Sequence, residues 1–120
     1  MARPHEKLEA WREAMKLVRA VYATTQTFPK EELFGLVTQM RRAAVSVPSN
    51  IAEGAARTSR KELAQFLSVA KGSLSELETQ LLISVDLGYL KPQEEVFELA
   101  EKVAKLVSGF HRKVIGEGTN

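Results

Sequence analysis

Apolar residues recur at helical spacing along almost the whole chain, and no stretch alternates in the way a β-strand would. Four segments carry this pattern, and turn or capping residues separate them. The predicted helices cover residues about 6–25, 29–56, 59–87 and 92–115. The pattern therefore predicts an all-α protein.

The first predicted helix has apolar residues three and four positions apart, as one buried face of a helix requires. Its predicted core row consists of Leu8, Trp11, Met15, Val18 and Tyr22, widened by Ala14, Leu17 and Val21. The ends of the other helices are predicted from Pro29 and Pro92 at first helical positions, a Ser59–Glu62 capping box, and Gly88 as a left-handed C-cap.

The connections between the four helices are short, which places sequential helices side by side in opposite directions. The predicted fold is an up-down-up-down antiparallel four-helix bundle. The chain has 120 residues and a mass of 13.3 kDa, which suits one domain. Residues 1–120 are therefore predicted to form a single domain.

The second predicted helix is apolar on two sides. One side, from Leu33 through Met40 to Ile51, faces the predicted core. The other side carries Val45, Pro48, Ala52, Ala55 and Ala56. A helix that is apolar on two sides is normally buried on two sides, so we predict that this second side meets another subunit. Pro48 also predicts a kink in this helix.

Polar residues form a narrow band between these two sides. At 100° per residue, the band on the second helix consists of Gln39, Arg42, Ser46, Asn50, Glu53 and Arg57. Ser73 and Glu76 form a matching band on the third helix, and we name these eight residues the polar ridge. Two interpretations stay open. The ridge is either a structural network that pairs arginines with glutamates, or a groove that contacts a ligand.

Composition excludes several kinds of chemistry. Hydrophobic residues make up 44% and charged residues 27% of the chain, and there is no cysteine, so thiolate metal sites and a cysteine nucleophile are absent. Neither His5 nor His111 follows a glutamate by three positions, as a di-iron carboxylate site requires. We expect no cofactor, no metal and no catalytic residue, and we predict that the protein is not an enzyme.

Charge and hydropathy bear on partners and location. Lysine and arginine number 17 against 15 acidic residues, and the net charge of +2 is a weak electrostatic signal for nucleic acid. No apolar run approaches the roughly 20 residues that span a bilayer, and the N-terminus lacks the apolar stretch of a signal peptide. We expect a cytoplasmic protein with no membrane partner.

Residues 32–54 contain an unusual succession of short motifs: Arg41-Arg42-Ala43, Ser46-Val47-Pro48 and Asn50-Ile51-Ala52-Glu53-Gly54. The pattern continues in order through residues 57–59, 66–67, 70, 72–74, 76–79 and 87–90. Over roughly residues 5–115, the sequence resembles the four-helix-bundle proteins of the 23S rRNA intervening-sequence family. The accessory proteins of diversity-generating retroelements are similar in fold and assembly.

This resemblance implies a bacterial protein, a homo-oligomeric ring, most simply a pentamer, and a scaffolding role linked to nucleic acid. It implies no reaction. The leading hypothesis is therefore a non-catalytic oligomer that binds RNA or DNA. The candidate contacts are Arg41, Arg42, Arg57, Arg60 and Lys61, supported by Arg12, Lys16 and Arg19.

Two alternatives remain at this point. The protein is a protein–protein interaction module that touches no nucleic acid, or it binds a small ligand at Arg42, Asn50, Glu53 and Glu76 of the polar ridge. A ring would multiply a weak basic patch by its copy number, which favours the nucleic-acid hypothesis.

Overall fold

The computed structural model describes His5 and residues 8–118. Within this part of the chain there are four α-helices and no β-strand. The helices are α1 (Glu9–Thr25), α2 (Thr38–Ala55), α3 (Arg60–Asp86) and α4 (Glu95–Gly118). The all-α prediction is confirmed. None of the helices so described is both long and apolar enough to cross a membrane.

The four helices share one apolar core. Helix α2 packs against α1 and α3, and α4 packs against the same two helices. The largest fully buried side chains come from all four helices and are Leu17, Val21, Met40, Val47, Ile51, Leu67, Leu77, Leu81, Val103 and Val107. Each helix therefore contributes one face to the core, as the helical periodicity predicts.

Helix α1 is rotated relative to its predicted core row. The buried row is Ala10, Ala14, Leu17 and Val21, whereas Trp11, Met15 and Val18 are half-buried and Tyr22 is exposed. The prediction that the larger side chains form the central row is wrong. Small alanines at the centre let the helix backbone approach the core closely, and the larger side chains then cover its edges.

The chain before α2 differs most from its prediction. A helix starting at Pro29 is predicted, but a 3₁₀ turn (Lys30–Glu32) and a π-helical segment (Leu33–Val37) precede α2. Gly35 has non-helical dihedrals, with φ −117° and ψ −106°. Helix α2 is continuous through Pro48, so the interruption falls at Gly35, and Leu33 is 47% exposed instead of buried.

Helix α3 has the ends that its capping residues predict. The Ser59 hydroxyl accepts a hydrogen bond from the Glu62 backbone N–H at 3.2 Å. At the other end, Gly88 has φ +80°, which glycine adopts without a steric penalty. The backbone N–H groups of Gly88 and Tyr89 donate to the carbonyls of Val85 and Ser84, which is a Schellman motif. Helix α4 begins at Glu95 instead of Pro92.

Candidate nucleic-acid and assembly surfaces

The centre of the polar ridge is a small network of uncharged hydrogen bonds. The hydroxyls of Ser46 on α2 and Ser73 on α3 are 2.8 Å apart. The Asn50 amide donates to the Ser46 hydroxyl at 2.9 Å and to the Ser46 carbonyl at 2.8 Å. The sequence pattern places these three residues on facing helix surfaces, and the structure brings them together. They join α2 to α3 near the middle of both helices.

The charged residues of the ridge do not pair with one another. Gln39, Arg42 and Glu53 are exposed, and Glu76 accepts a hydrogen bond from Gln80 at 3.1 Å. The Arg57 guanidinium lies 5.0 Å from the centroid of the Phe66 ring, a cation–π contact. Among the described residues, no ion pair joins these arginines to the ridge glutamates. In place of Arg–Glu pairs, Arg57 contacts the Phe66 ring and Glu76 contacts the Gln80 amide.

Among the candidate nucleic-acid contacts, Arg41 and Lys16 interact with other groups of the protein. The Arg41 Nε donates to the Thr25 hydroxyl at 3.0 Å, and its guanidinium lies 4.5 Å from the centroid of the Tyr22 ring. Arg41 thus fixes the start of α2 to the end of α1. The Lys16 ammonium lies 2.8 Å from a Glu13 carboxylate oxygen, so its charge is already compensated.

Glu13 is a buried carboxylate between two lysines. Its second oxygen lies 2.9 Å from the ammonium of Lys102 on α4. Hydrogen bonds from Lys16 and Lys102 lower the pKa of Glu13 from 4.5 to about 2, although partial burial opposes the change. The pKa of Lys102 is raised by the same contact. This ion pair joins α1 to α4.

Four of the candidate cations lie at one end of the molecule. Residues 60–68 of α3 line a groove together with residues 111–115 of α4, and residues 8–10 of α1 line another with residues 109–113. The end of α2 adjoins the start of α3, since Gly54 approaches Leu63 and Phe66. Basic residues gather there, and we name the following six the basic end: Arg12, Arg57, Arg60, Lys61, Arg112 and Lys113.

Arg112 and Lys113 escape prediction from sequence. The surplus of positive charge lies in the first sixty residues, so the sequence gives no signal for a basic surface that includes residues of α4. Only the packing of the α4 end beside the α3 start shows that they share one end of the molecule with Arg60 and Lys61. The described acidic residues at this end are Glu9, Glu53, Glu62 and the ion-paired Glu13, so the cations outnumber the carboxylates.

The opposite end of the molecule is acidic. The Tyr89 hydroxyl after α3 donates to a Glu32 carboxylate oxygen at 2.9 Å, and this contact raises the pKa of Tyr89. The acidic residues described at this end are Glu31, Glu32, Glu78, Asp86, Glu94, Glu95, Glu98 and Glu101. They outnumber the described cations there, which are Arg19, Lys30, Arg41, Arg42, Lys91 and Lys102. Arg19 and Arg42 are thus remote from the basic end.

The predicted subunit interface on α2 is only partly available. Pro48 is buried within the chain itself, because the other helices already cover this part of α2. Ala52 and Ala55 are half-buried, Ala56 is exposed, and Val45 is 40% exposed. The prediction that the whole side is free to meet another subunit is therefore wrong for Pro48.

A more exposed apolar feature lies just before α2, where sequence analysis expects a regular helix. Phe34 is 91% exposed, the highest value among the exposed large hydrophobic side chains. No sequence signal predicts this exposure, since residues 33–37 fit the helical apolar pattern. The only local indication is Gly35, a poor helix former.

A groove lies between α3 and α4. Its volume is about 630 Å³, and its walls include Lys61, Ala64, His111, Val114 and Ile115. Burial and the nearby charge of Lys71 lower the pKa of His111. No group of three or more potential metal ligands occurs within the described part of the chain.

The fold and these surfaces define a class of protein: a four-helix all-α protein with oppositely charged ends. A family model described as 23S rRNA-intervening sequence protein matches residues 6–109. The chain belongs to this family, which confirms the resemblance of the residue 32–54 motifs. No curated protein matches the sequence.

Proposed function

We propose that this protein is a non-catalytic homo-oligomeric scaffold that binds the phosphate backbone of RNA or DNA through its basic end. Each subunit is an up-down-up-down antiparallel four-helix bundle, and the assembly is a closed ring, most simply of five subunits. The observation that carries the proposal is the basic end, which collects cations from α1, from the α2–α3 connection and from α4.

Phosphate contacts supply most of the affinity in sequence-independent binding. Arginine suits this role because its planar guanidinium can form two hydrogen bonds with a phosphate. Within the described residues of the basic end, the aromatic side chains of Trp11, Phe66 and Phe110 are half-buried, so they form no exposed row of the kind that stacks on bases. The binding therefore depends on charge and not on base sequence.

A ring supplies the multivalency that one subunit lacks. The net charge of one chain is only +2, but a closed ring with cyclic symmetry repeats every basic end at an equivalent position. Several weak contacts on one polymer then act together and raise the overall affinity. The family description, which refers to an intervening sequence of 23S rRNA, supports RNA as the first ligand to test.

The test compares Arg57→Ala/Arg112→Ala with a control, Lys30→Ala/Lys91→Ala, that removes two lysines from the acidic end. The affinity of each for a single-stranded RNA and a DNA duplex is measured at several salt concentrations. We expect the first variant to bind more weakly and to lose roughly 0.7–0.9 of the log–log salt slope for each phosphate contact removed. The control should match wild type.

Undetectable affinity of the wild-type protein for both nucleic acids at low salt would overturn the nucleic-acid proposal. So would an equal loss of affinity in the two double variants, because the basic end would then have no special role. A protein partner that copurifies after nuclease treatment would favour the interaction-module alternative.

A further inference from the structure

The Phe34 side chain projects into solvent from the hydrogen-bonded segment that precedes α2. Two residues before it, Glu32 accepts the hydrogen bond from Tyr89 at 2.9 Å. On its other side, the Thr38 hydroxyl donates to the Leu33 carbonyl. These bonds anchor the 3₁₀ and π-helical turns at both ends, and Gly35 interrupts the helix between them. The segment therefore presents a 91% exposed aromatic ring next to Leu33, which is 47% exposed.

An apolar recess of suitable size lies at the other end of the molecule. The groove between α3 and α4 has a volume of about 630 Å³, which is ample for a phenyl ring and its neighbours. Ala64 and Val114 form its floor, and Ile115, which is 46% exposed, forms part of its rim. Burying one aromatic side chain removes about 150–250 Å² from water.

The charges around these two features are complementary. Exposed Glu31 lies three residues before Phe34, whereas exposed Lys61 lines the groove and Lys71 lies close enough to His111 to affect its pKa. The acidic end carries the aromatic ring, and the basic end carries the recess. Complementary potentials of this kind orient two surfaces and exclude the reverse docking.

Phe34 cannot reach the groove of its own chain. The groove lies along the first turns of α3, while Glu32, two residues before Phe34, contacts Tyr89, which follows the last turn of that helix. The 27 residues of α3 separate the two by about 40 Å. Any contact between the ring and the groove must therefore join two copies, head to tail. A contact between different surfaces of identical chains closes into a ring when the rotation permits.

We propose that Phe34 of one copy of this chain inserts into the α3–α4 groove of the next copy, with Glu31 facing Lys61. This inference rests on the proposed oligomeric function and identifies where its subunits meet. A central aromatic anchor of this kind usually dominates the binding energy of an interface. Lys61 then belongs to the subunit contact, and Arg57 and Arg112, which do not line the groove, remain for nucleic acid.

The first experiment measures absolute mass in solution, by light scattering over a range of concentrations, for wild type, Phe34→Ser and Leu82→Ser. Leu82 is the matched control because it is a large apolar residue, 61% exposed, on the outside of α3. We expect wild type and Leu82→Ser to associate equally. Phe34→Ser should associate about 30-fold or more weakly, with unchanged helical content by circular dichroism.

A mixing experiment tests the head-to-tail geometry. Phe34→Ser keeps its groove, and Lys61→Glu keeps its aromatic ring, so each alone should remain at 13.3 kDa. In a mixture, the Phe34 ring of the Lys61→Glu variant can still enter the unchanged groove of the Phe34→Ser variant. We therefore expect a heterodimer of about twice that mass. The charge-exchanged variant Glu31→Lys/Lys61→Glu should regain most of the wild-type association.

The outcomes separate the two proposals. A wild-type oligomer that survives Phe34→Ser and Lys61→Glu unchanged would overturn the proposed contact but leave the oligomer intact. A wild-type monomer at all concentrations would overturn both the assembly and the contact. Loss of association in Leu82→Ser to the same extent as in Phe34→Ser would also overturn the specific role of Phe34.

Discussion

Two helix pairs in this molecule are joined by different physical means. Helices α2 and α3 meet through close backbone packing and uncharged hydrogen bonds, at Gly54 and at the Ser46–Ser73 pair. Helices α1 and α4 are joined by the carboxylate of Glu13 and the ammonium of Lys102. The first contact depends on shape, and the second depends on the protonation state of one side chain.

The difference indicates which helix pair keeps its geometry when the pH changes. The α2–α3 pair contains most of the motifs in residues 32–54 and bears Arg57 on its connection. Its contact contains no group that titrates near neutral pH, so its geometry is insensitive to pH. The α1–α4 contact is separated from these motifs and is the one that acid should weaken.

The largest effect is expected from Gly54→Ala, which tests the close packing of α2 on α3. A Cβ at this position would lie 2.9 Å from the Phe66 Cβ and 2.9 Å from the Leu63 Cδ1. Leu63 can rotate away, but the Phe66 Cβ moves only with its backbone. We expect a loss of about 1–3 kcal/mol in the free energy of unfolding, measured by urea denaturation.

Gly72→Ala is the matched control, because Gly72 is also helical but an added Cβ would meet nothing within 4 Å. There the alanine should stabilise the protein by about 0.5–1 kcal/mol, through its better helix propensity. If both variants were stabilised equally, the close approach at Gly54 would have no energetic importance.

Much of this fold follows from local sequence, and the parts that do not follow depend on distant contacts. The periodicity predicts four helices, and the Ser59 and Gly88 caps fix the ends of α3, because each of these signals acts within a few residues. The Ser46–Ser73 contact was also foreseeable, since both residues fall on polar bands beside the core faces. The rotation of α1 was not, because it depends on how closely small residues allow whole helices to approach.

The candidate surfaces were less predictable for the same reason. Residues 12 and 112 share one end of the molecule only through helix packing, and Glu13 lies far from Lys102 in sequence. The exposure of Phe34 depends on a π-helical segment that has no periodic signature. The candidate contacts named from the sequence therefore include Arg57, Arg60 and Lys61 but not Arg112 and Lys113.

The second-largest effect is expected from Glu13→Gln, which tests whether acid weakens the contact between α1 and α4. The pKa of Glu13 is about 2 in the folded protein and 4.5 without its partners. A lowered folded-state pKa contributes stability above pH 4.5, and that contribution is lost as the pH falls through about 2. We expect Glu13→Gln to unfold at a lower temperature than wild type at pH 7, with the difference shrinking between pH 4.5 and 2.

Glu101→Gln is the control for this prediction. Glu101 pairs with Lys105 at 3.4 Å, but its side chain is 70% exposed, and exposed pairs contribute little. Its melting temperature should stay close to that of wild type at every pH. A difference between wild type and Glu13→Gln that did not depend on pH below 4.5 would contradict the assignment of this contact to the charged carboxylate.

The smallest effect is expected from Ser73→Ala, which removes the hydrogen bond between α3 and α2. The Ser46 hydroxyl keeps its bond from Asn50, so no buried group is left without a partner, and the loss should be about 1 kcal/mol. Alanine also favours the helix by a few tenths of a kcal/mol, which partly conceals the loss. Ser75→Ala, on the exposed side of α3, measures that gain separately.

The difference between the Ser73→Ala and Ser75→Ala unfolding free energies therefore isolates the hydrogen bond. A double-mutant cycle with Ser46→Ala should give a coupling of about 0.5–1.5 kcal/mol, and it should be the same at pH 7 and pH 4 because neither hydroxyl titrates there. A coupling that changed with pH would mean that a charged group participates in the α2–α3 contact. The distinction between the two helix pairs would then fail, since both would depend on protonation.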